Sequence, residues 1–422
     1  MNDRTAMLRT QPNSLTITWL ALGLTLTIAP RLRIGLNVPI GPGEVVCAFW
    51  IIWVFWNHFF AAGLLPGRQA KFSAIIGTMA FFIFFAGILS ALFLGFWKQT
   101  GWRDFFALAF IIVLAFAFNL HFTNRVNLER FCLALMAFLS IYVFPLFIVS
   151  RFTSHLGPFS LFYDPGATRF SALGFRPGQL DFIFVAIPFL SIHFLFRRKG
   201  ILKRASLFLL CVASLYLGFD HKSDAFLVAV AAGSVVALIL IWGKGVSLLN
   251  RRNRLAAIGM VAASLIVLSL ISFFMFDKVE SWVMNVYEQQ GQGSVRINLW
   301  LNGLKAASVS PVFGLGPGSY SGVRAPFQHS EAHNTLVDVA ILGGMLGILI
   351  FTCVIGYLGW RTLRTGLTWL IAAFLSMVCY SVFHYTLRQP LYLIGLIMIS
   401  KLATTFARSS FKRTPNAVLD MK

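Results

Sequence analysis

The chain alternates long apolar runs with short polar breaks, and roughly 20 apolar residues in a row suffice to cross a hydrocarbon core as a helix. By that measure about twelve spans fall near residues 15–30, 44–64, 73–96, 105–122, 131–150, 180–196, 205–219, 224–242, 255–276, 334–358, 367–386 and 389–406. Most breaks are short, but two are long, 151–179 and 277–333, and the second is the longest polar interruption in the chain. Connections of that length usually carry function. Inside it Ile297, Trp300, Leu301 and Leu304 recur at helical spacing with Asn298, Asn302 and Lys305 between them. That pattern predicts an amphipathic helix lying on the outer surface and ending at Ser310-Pro311. The expected fold is an all-α polytopic membrane protein, a single integral domain over residues 1–422, with a large helical extracytoplasmic loop at 277–333 between spans nine and ten.

Composition supports this class and refines it. With 58% hydrophobic and 12% charged residues and a mean hydropathy of +0.78, the chain is too apolar for a soluble domain. Lys and Arg total 35 against 14 Asp and Glu, for a net charge of +21. Such a balance fits nucleic acid, anionic lipid or orientation in a bilayer, and the distribution decides between them. Arg68 and Lys71, Arg125 and Arg130, Arg197 to Lys199 with Lys203 and Arg204, the cations between Lys244 and Arg254, Arg361 and Arg364, and the tail after Arg408 all fall on alternate breaks. Positive charge stays on the cytoplasmic side. Both termini are therefore expected in the cytoplasm and the two long loops outside. The charge marks orientation, and no nucleic-acid partner is expected. The apolar run from Leu15 lacks a small-residue cleavage pattern and reads as a retained first span. Cys47, Cys132, Cys211, Cys353 and Cys379 are scattered singly through apolar runs, so neither a disulfide framework nor a zinc site is indicated.

Candidate chemistry concentrates between Ser294 and Gly347. The turn Gly314-Leu315-Gly316-Pro317-Gly318-Ser319 lets backbone amides approach an anion, yet it lacks the Lys-Ser/Thr ending of a Walker A loop, and a plain structural turn fits it as well. His333, followed by Asn334, carries the side chain best matched to proton transfer near neutral pH, although a histidine at a membrane interface is more often a capping or packing residue. Arg169, Arg176, Arg296, Arg324 and Arg388, with Lys222, fall on the side where cations are disfavoured. They call for partners among Asp164, Asp181, Asp224 and Glu331, or for an anionic ligand that suits the guanidinium fork. Asp338 lies a little over a helical turn beyond His333, and an acid inside a span is a functional candidate.

In order, these elements resemble the signature of the O-antigen ligase and Wzy-type polymerase superfamily: Arg296-Ile-Asn-Leu-Trp300, Ser310-Pro311-Val-Phe-Gly314-Leu-Gly316-Pro-Gly318-Ser-Tyr320, His333-Asn334-Thr-Leu336 and Gly343-Gly344-Met-Leu-Gly347. The stretch Arg169 to Pro177 is similar to a polymerase segment with its glycine displaced to Gly174. The segment His384 to Pro390, HYTLRQP, is similar to exopolysaccharide polymerases of the ExoQ kind. The resemblance implies a GT-C-type glycosyltransferase at the outer face of the bacterial inner membrane, inverting, metal-independent and without cofactor. Its donor is an undecaprenyl-diphosphate-linked glycan, and its acceptor a hydroxyl of a growing glycan or, for a ligase, of lipid A-core. A chain-length regulator or flippase and the surrounding membrane lipids are the accessory partners it implies.

Residue by residue, the family's outer-loop histidine falls on His333 and its outer-loop arginine on Arg296. A second family arginine has no match, since this chain reads His221-Lys222-Ser223-Asp224 there. The expected roles are His333 as base and Arg296 as diphosphate cation, assisted by Arg169, Arg176, Lys222 or Arg324. Gly316, Gly318 and Ser319 would position the loop or touch phosphate, with Asn334, Asp338 and Arg388 as auxiliaries. The reading from another class is a transporter or flippase of lipid-linked glycan, which should carry ionisable residues along a mid-bilayer path. Here most charges sit at helix ends.

Overall fold

The computed structural model describes residues 14–28, 32–34, 38–61, 68–93, 100–152, 155–156, 159–160, 177–220, 224–248, 292–318 and 331–411. The predicted ninth span, the termini, and Arg169, Arg176, Lys222, Ser319 and Arg324 lie outside the described residues. Helices occupy the other predicted spans: α1 (Ser14–Leu26), α2 (Pro42–Phe55, continued by a π-helical turn Trp56–Ala61), α3 (Arg68–Phe93), α4 (Thr100–His121), α5 (Arg125–Ser150), α6 (Pro177–Leu195), α7 (Ile201–Asp220) and α8 (Asp224–Leu248). After the amphipathic α9 (Gln292–Ala307) come α10 (Thr335–Leu363), α11 (Thr368–Ser381) and α12 (Pro390–Phe411). Two small antiparallel ribbons decorate this helical architecture, Leu32–Ile34 with Val38–Ile40 and His155–Leu156 with Phe159–Ser160. Among the described helices, six are long and apolar enough to cross a membrane.

Why these helices pack as they do follows from where small and large apolar residues fall. The main core gathers Trp50, Phe118, Phe122, Phe131, Phe184, Phe194, Phe226 and Phe406, all fully buried. Gly233 of α8 sits so close to α11 that a Cβ there would collide with Ser376 Oγ, so these two helices approach to backbone distance. Packing of this kind suits a bilayer, where close contact replaces the hydrophobic drive between helices. Outward-facing Ile75, Phe82, Leu92, Leu238 and Ile239 are correspondingly exposed.

At one end of the bundle Lys401 of α12 is buried and donates to the carbonyls of Asn119 (3.0 Å) and Phe122 (2.8 Å). It satisfies the last turn of α4, whose carbonyls lack helical partners. Thus the charged residue inside this last span is held by a helix end rather than by a polar path. The opposite end, where α3 stops and α4, α10 and α12 start, holds the residues singled out from the sequence.

Candidate active site

Three polar breaks converge at that end: the turn after α9, the segment ahead of α10, and the segment between α11 and α12. The first is built on a broken helix. Gly344, inside α10, has φ 58° and ψ −154°, which interrupts the helical ladder. The groups that helical pairing would join there are Met345 N with Ile341 O and Leu346 N with Leu342 O. Such groups need partners when buried, and the glycine turn supplies all four. Leu315 N and Gly316 N donate to Ile341 O (2.6 Å) and Leu342 O (3.0 Å), while Met345 N and Leu346 N donate to Pro311 O (2.8 Å) and Val312 O (3.3 Å).

Glycine is required for this joint. Gly314 and Gly316 adopt φ of 72° and 74°, where a side chain is disfavoured. A Cβ would also lie 2.5 Å from Gly343 N in the first case and 2.6 Å from Ile88 N in the second. Ser90 Oγ donates to Ser310 Oγ at 2.9 Å and ties the turn to α3. Of the two roles open to Gly316, positioning the loop is the one its amide occupies. Gly318 is buried at the end of the same turn.

His333 stands just ahead of α10. Asn334 is the N-cap, its Oδ1 accepting from Leu336 N (3.0 Å) and Val337 N (3.3 Å), which fixes where the helix starts. His333 itself has φ 52°, the one non-glycine residue at positive φ among the described residues. That conformation costs roughly 1–2 kcal/mol, so something must hold it. Asp338, only 5% exposed, reaches back from the first turn: Oδ1 accepts from Ala332 N at 2.9 Å and Oδ2 from Asn334 N at 3.3 Å. One carboxylate therefore grips the amides on both sides of the histidine. Asp338 is the acid that the sequence placed inside a span, and its oxygens face the mouth of the helix.

The third break is stitched to the second. Thr335 Oγ1 donates to His384 O (2.6 Å), accepts from Thr386 N (3.1 Å), and lies 3.1 Å from Thr386 Oγ1. This places the His384 imidazole edge-on to that of His333, with ring centroids 6.3 Å apart. Tyr380 stacks on the other ring at 4.5 Å. His384 is a site neighbour that reading the residues one by one did not single out; its only signal was its place in HYTLRQP.

Arg296 arrives through helix packing. Leu299, Gly303 and Ala306 form the buried face of α9. A Cβ on Gly303 would come within 2.6 Å of Val337 Cγ1, so glycine lets α9 lie close along the start of α10. Of the apolar residues read from the sequence, Trp300 packs against the cluster of Ala306, Leu315, Ala332 and Ile341. Ile297, Leu301 and Leu304 point outward and are exposed, because the small-residue stripe takes the protein contact. The packing sets Arg296 beside His333. The imidazole is exposed, yet the atoms crowded behind it, and secondarily the Arg296 cation, lower its proton affinity from the ordinary 6.5. At neutral pH it is therefore unprotonated, with a lone pair to offer. Among the described residues, Arg296 makes no ion pair.

Arg388 has a different environment. Its Nη1 donates to Asp104 Oδ1 at 2.7 Å, its Nη2 pairs with the Glu331 carboxylate, and its guanidinium lies 4.8 Å from the Tyr385 ring centroid. Glu331 was among the acids expected to neutralise an outer cation, whereas Asp104 escaped notice at the start of a span. Among the described residues, no group of three or more His, Cys, Asp or Glu could hold a metal ion.

Residues 176–352 match the family model described as O-antigen ligase, a segment that contains Arg296, the glycine turn, His333 and the α10 break. No curated protein matches the chain.

Proposed function

We propose that the protein transfers a glycan from a lipid diphosphate to an acceptor hydroxyl, a reading supported by the match of residues 176–352 to the family model described as O-antigen ligase. The reading is that of an inverting, metal-independent polymerase of undecaprenyl-diphosphate-linked repeat units, working at the periplasmic face of the inner membrane. The observation that carries it is the pairing of a neutral His333 with an Arg296 that no described carboxylate neutralises.

The chemistry follows from that pair. The acceptor oxygen forms a bond to the anomeric carbon of the donor sugar as the bond from that carbon to the diphosphate oxygen breaks. The acceptor proton passes to the lone pair of His333, and the charge growing on the leaving diphosphate meets the Arg296 guanidinium. A fixed cation aimed at developing charge is an effective form of catalysis, and a base within reach of the hydroxyl adds to it. Arg169, Arg176, Lys222 and Arg324 are further cations proposed for the diphosphate, and Ser319 for loop contacts.

A ligase acting on lipid A-core is the second reading, favoured by the description of the matched family; the HYTLRQP segment favours the polymerase. Incubating the purified protein with lipid-linked repeat units separates them. A ladder of growing chains without added acceptor supports the polymerase, and transfer only when lipid A-core is supplied supports the ligase. Neither product under any condition, from protein that stays folded, would remove the transferase reading.

A further inference from the structure

His333 is held in a disfavoured backbone conformation by contacts that its own side chain does not make. The amides of Ala332 and Asn334 flank it, and both end on the carboxylate of Asp338. Asn334 closes the first turn of α10 with its own side chain, so the cap would stand without Asp338. An aspartate in a first turn is also favoured by the helix dipole, but that alone does not require its two oxygens to bracket a neighbouring residue at φ 52°.

We propose that Asp338 is a positioning residue for the transfer reaction: its buried carboxylate grips the amides on both sides of His333 and fixes the imidazole beside Arg296. This inference rests on His333 being the base. Asp338 touches no substrate in this account and acts only through the backbone at 332–334. The chemistry requires a carboxylate because both contacts are N–H donors, and a carboxylate accepts from two while a carboxamide presents one oxygen and one donor.

The test uses full-length protein in nanodiscs, with lipid-linked oligosaccharide extracted from cells of the source strain lacking this gene as the donor. Asp338→Asn and Asp338→Ala should lower kcat stepwise, on the order of 10-fold and 100-fold if misplacing the base resembles losing much of it, with KM for the donor unchanged. Hydrogen exchange of the peptide containing residues 331–334 should accelerate in the same order, while the body of α10 stays protected. In the His333→Ala background, Asp338→Asn should cause no further loss of transfer.

Different outcomes sink different parts. If His333→Ala retains full activity, the base assignment fails, and the positioning role with it. If His333→Ala is inactive but Asp338→Asn and Asp338→Ala turn over like the wild type, the positioning role alone fails. Unchanged exchange at 331–334 in Asp338→Ala also overturns it, whatever the activity. Loosening of the whole of α10 in step with the activity loss would make Asp338 a general helix stabiliser and overturn it too.

Discussion

Two arginines at the same end of the bundle meet opposite surroundings. Arg388 is clasped by Asp104 and Glu331 and backed by the Tyr385 ring, and so joins α4 to the segments before α10 and α12. Arg296 lies beside His333 with no ion-pair partner among the described residues, and its charge is felt by the imidazole. The comparison separates two uses of a cation at one end of the bundle. A guanidinium whose donors are taken by carboxylates holds structure together. One with no carboxylate partner among the described residues, beside an imidazole that is neutral at neutral pH, is the cation proposed for an anionic ligand.

The largest effect that would break this contrast is at the base. His333→Ala should lower turnover by roughly 10²- to 10⁴-fold while the protein still inserts, measured as product formed per folded molecule. Next comes Arg296→Lys, which keeps the charge and loses the fork; a fall on the order of 10²-fold in turnover is expected. The matching change, Arg388→Met, should act on stability instead. It takes one cation away from the nearly buried Asp104, a loss of at most about 3–5 kcal/mol that should appear as a lower thermal midpoint in detergent, with near-normal turnover in the fraction that remains folded.

The smallest expected effect is on pH dependence. With His333 proposed as the base, its neutral form is the one expected to be active, so activity should fall as pH drops through a pKa lowered below the ordinary 6.5. Removing the Arg296 cation in Arg296→Gln relieves the lesser of the two causes, so the acid limb of the residual activity should move upward, toward but not reaching 6.5. A downward shift in the rate profile would mean that Arg296 does not act on this histidine.

Much of the helical order was legible because apolar runs of span length leave few alternatives, and the start of α10 was legible through the His333-Asn334 pair. The proximity of Arg296 to His333 was readable only as an ordered motif, since 36 intervening positions hide an approach made by helix packing. What the sequence hid follows one rule: contacts made through the backbone leave weak signals in side-chain patterns. The glycine turn and Gly343-Gly344 read as two separate motifs, though they are halves of one joint that exchanges four backbone partners. Asp338 read as an acid within a span, and only the fold reveals that its oxygens serve amides on either side of His333. The protein-facing side of α9 was only partly legible for a related reason. Large residues dominate a hydrophobic pattern, whereas the contact with α10 runs through Leu299, Gly303 and Ala306, two of them small.

The contrast between the two arginines is tested most directly by binding the leaving group alone. Glycan-free undecaprenyl diphosphate can be titrated into the wild type, Arg296→Gln and Arg388→Lys in nanodiscs. The account predicts that Arg296→Gln binds about tenfold or more weakly, a loss of about 1.4 kcal/mol or more, while Arg388→Lys binds like the wild type. Equal affinity in the wild type and Arg296→Gln, or an equal loss in both variants, would contradict it.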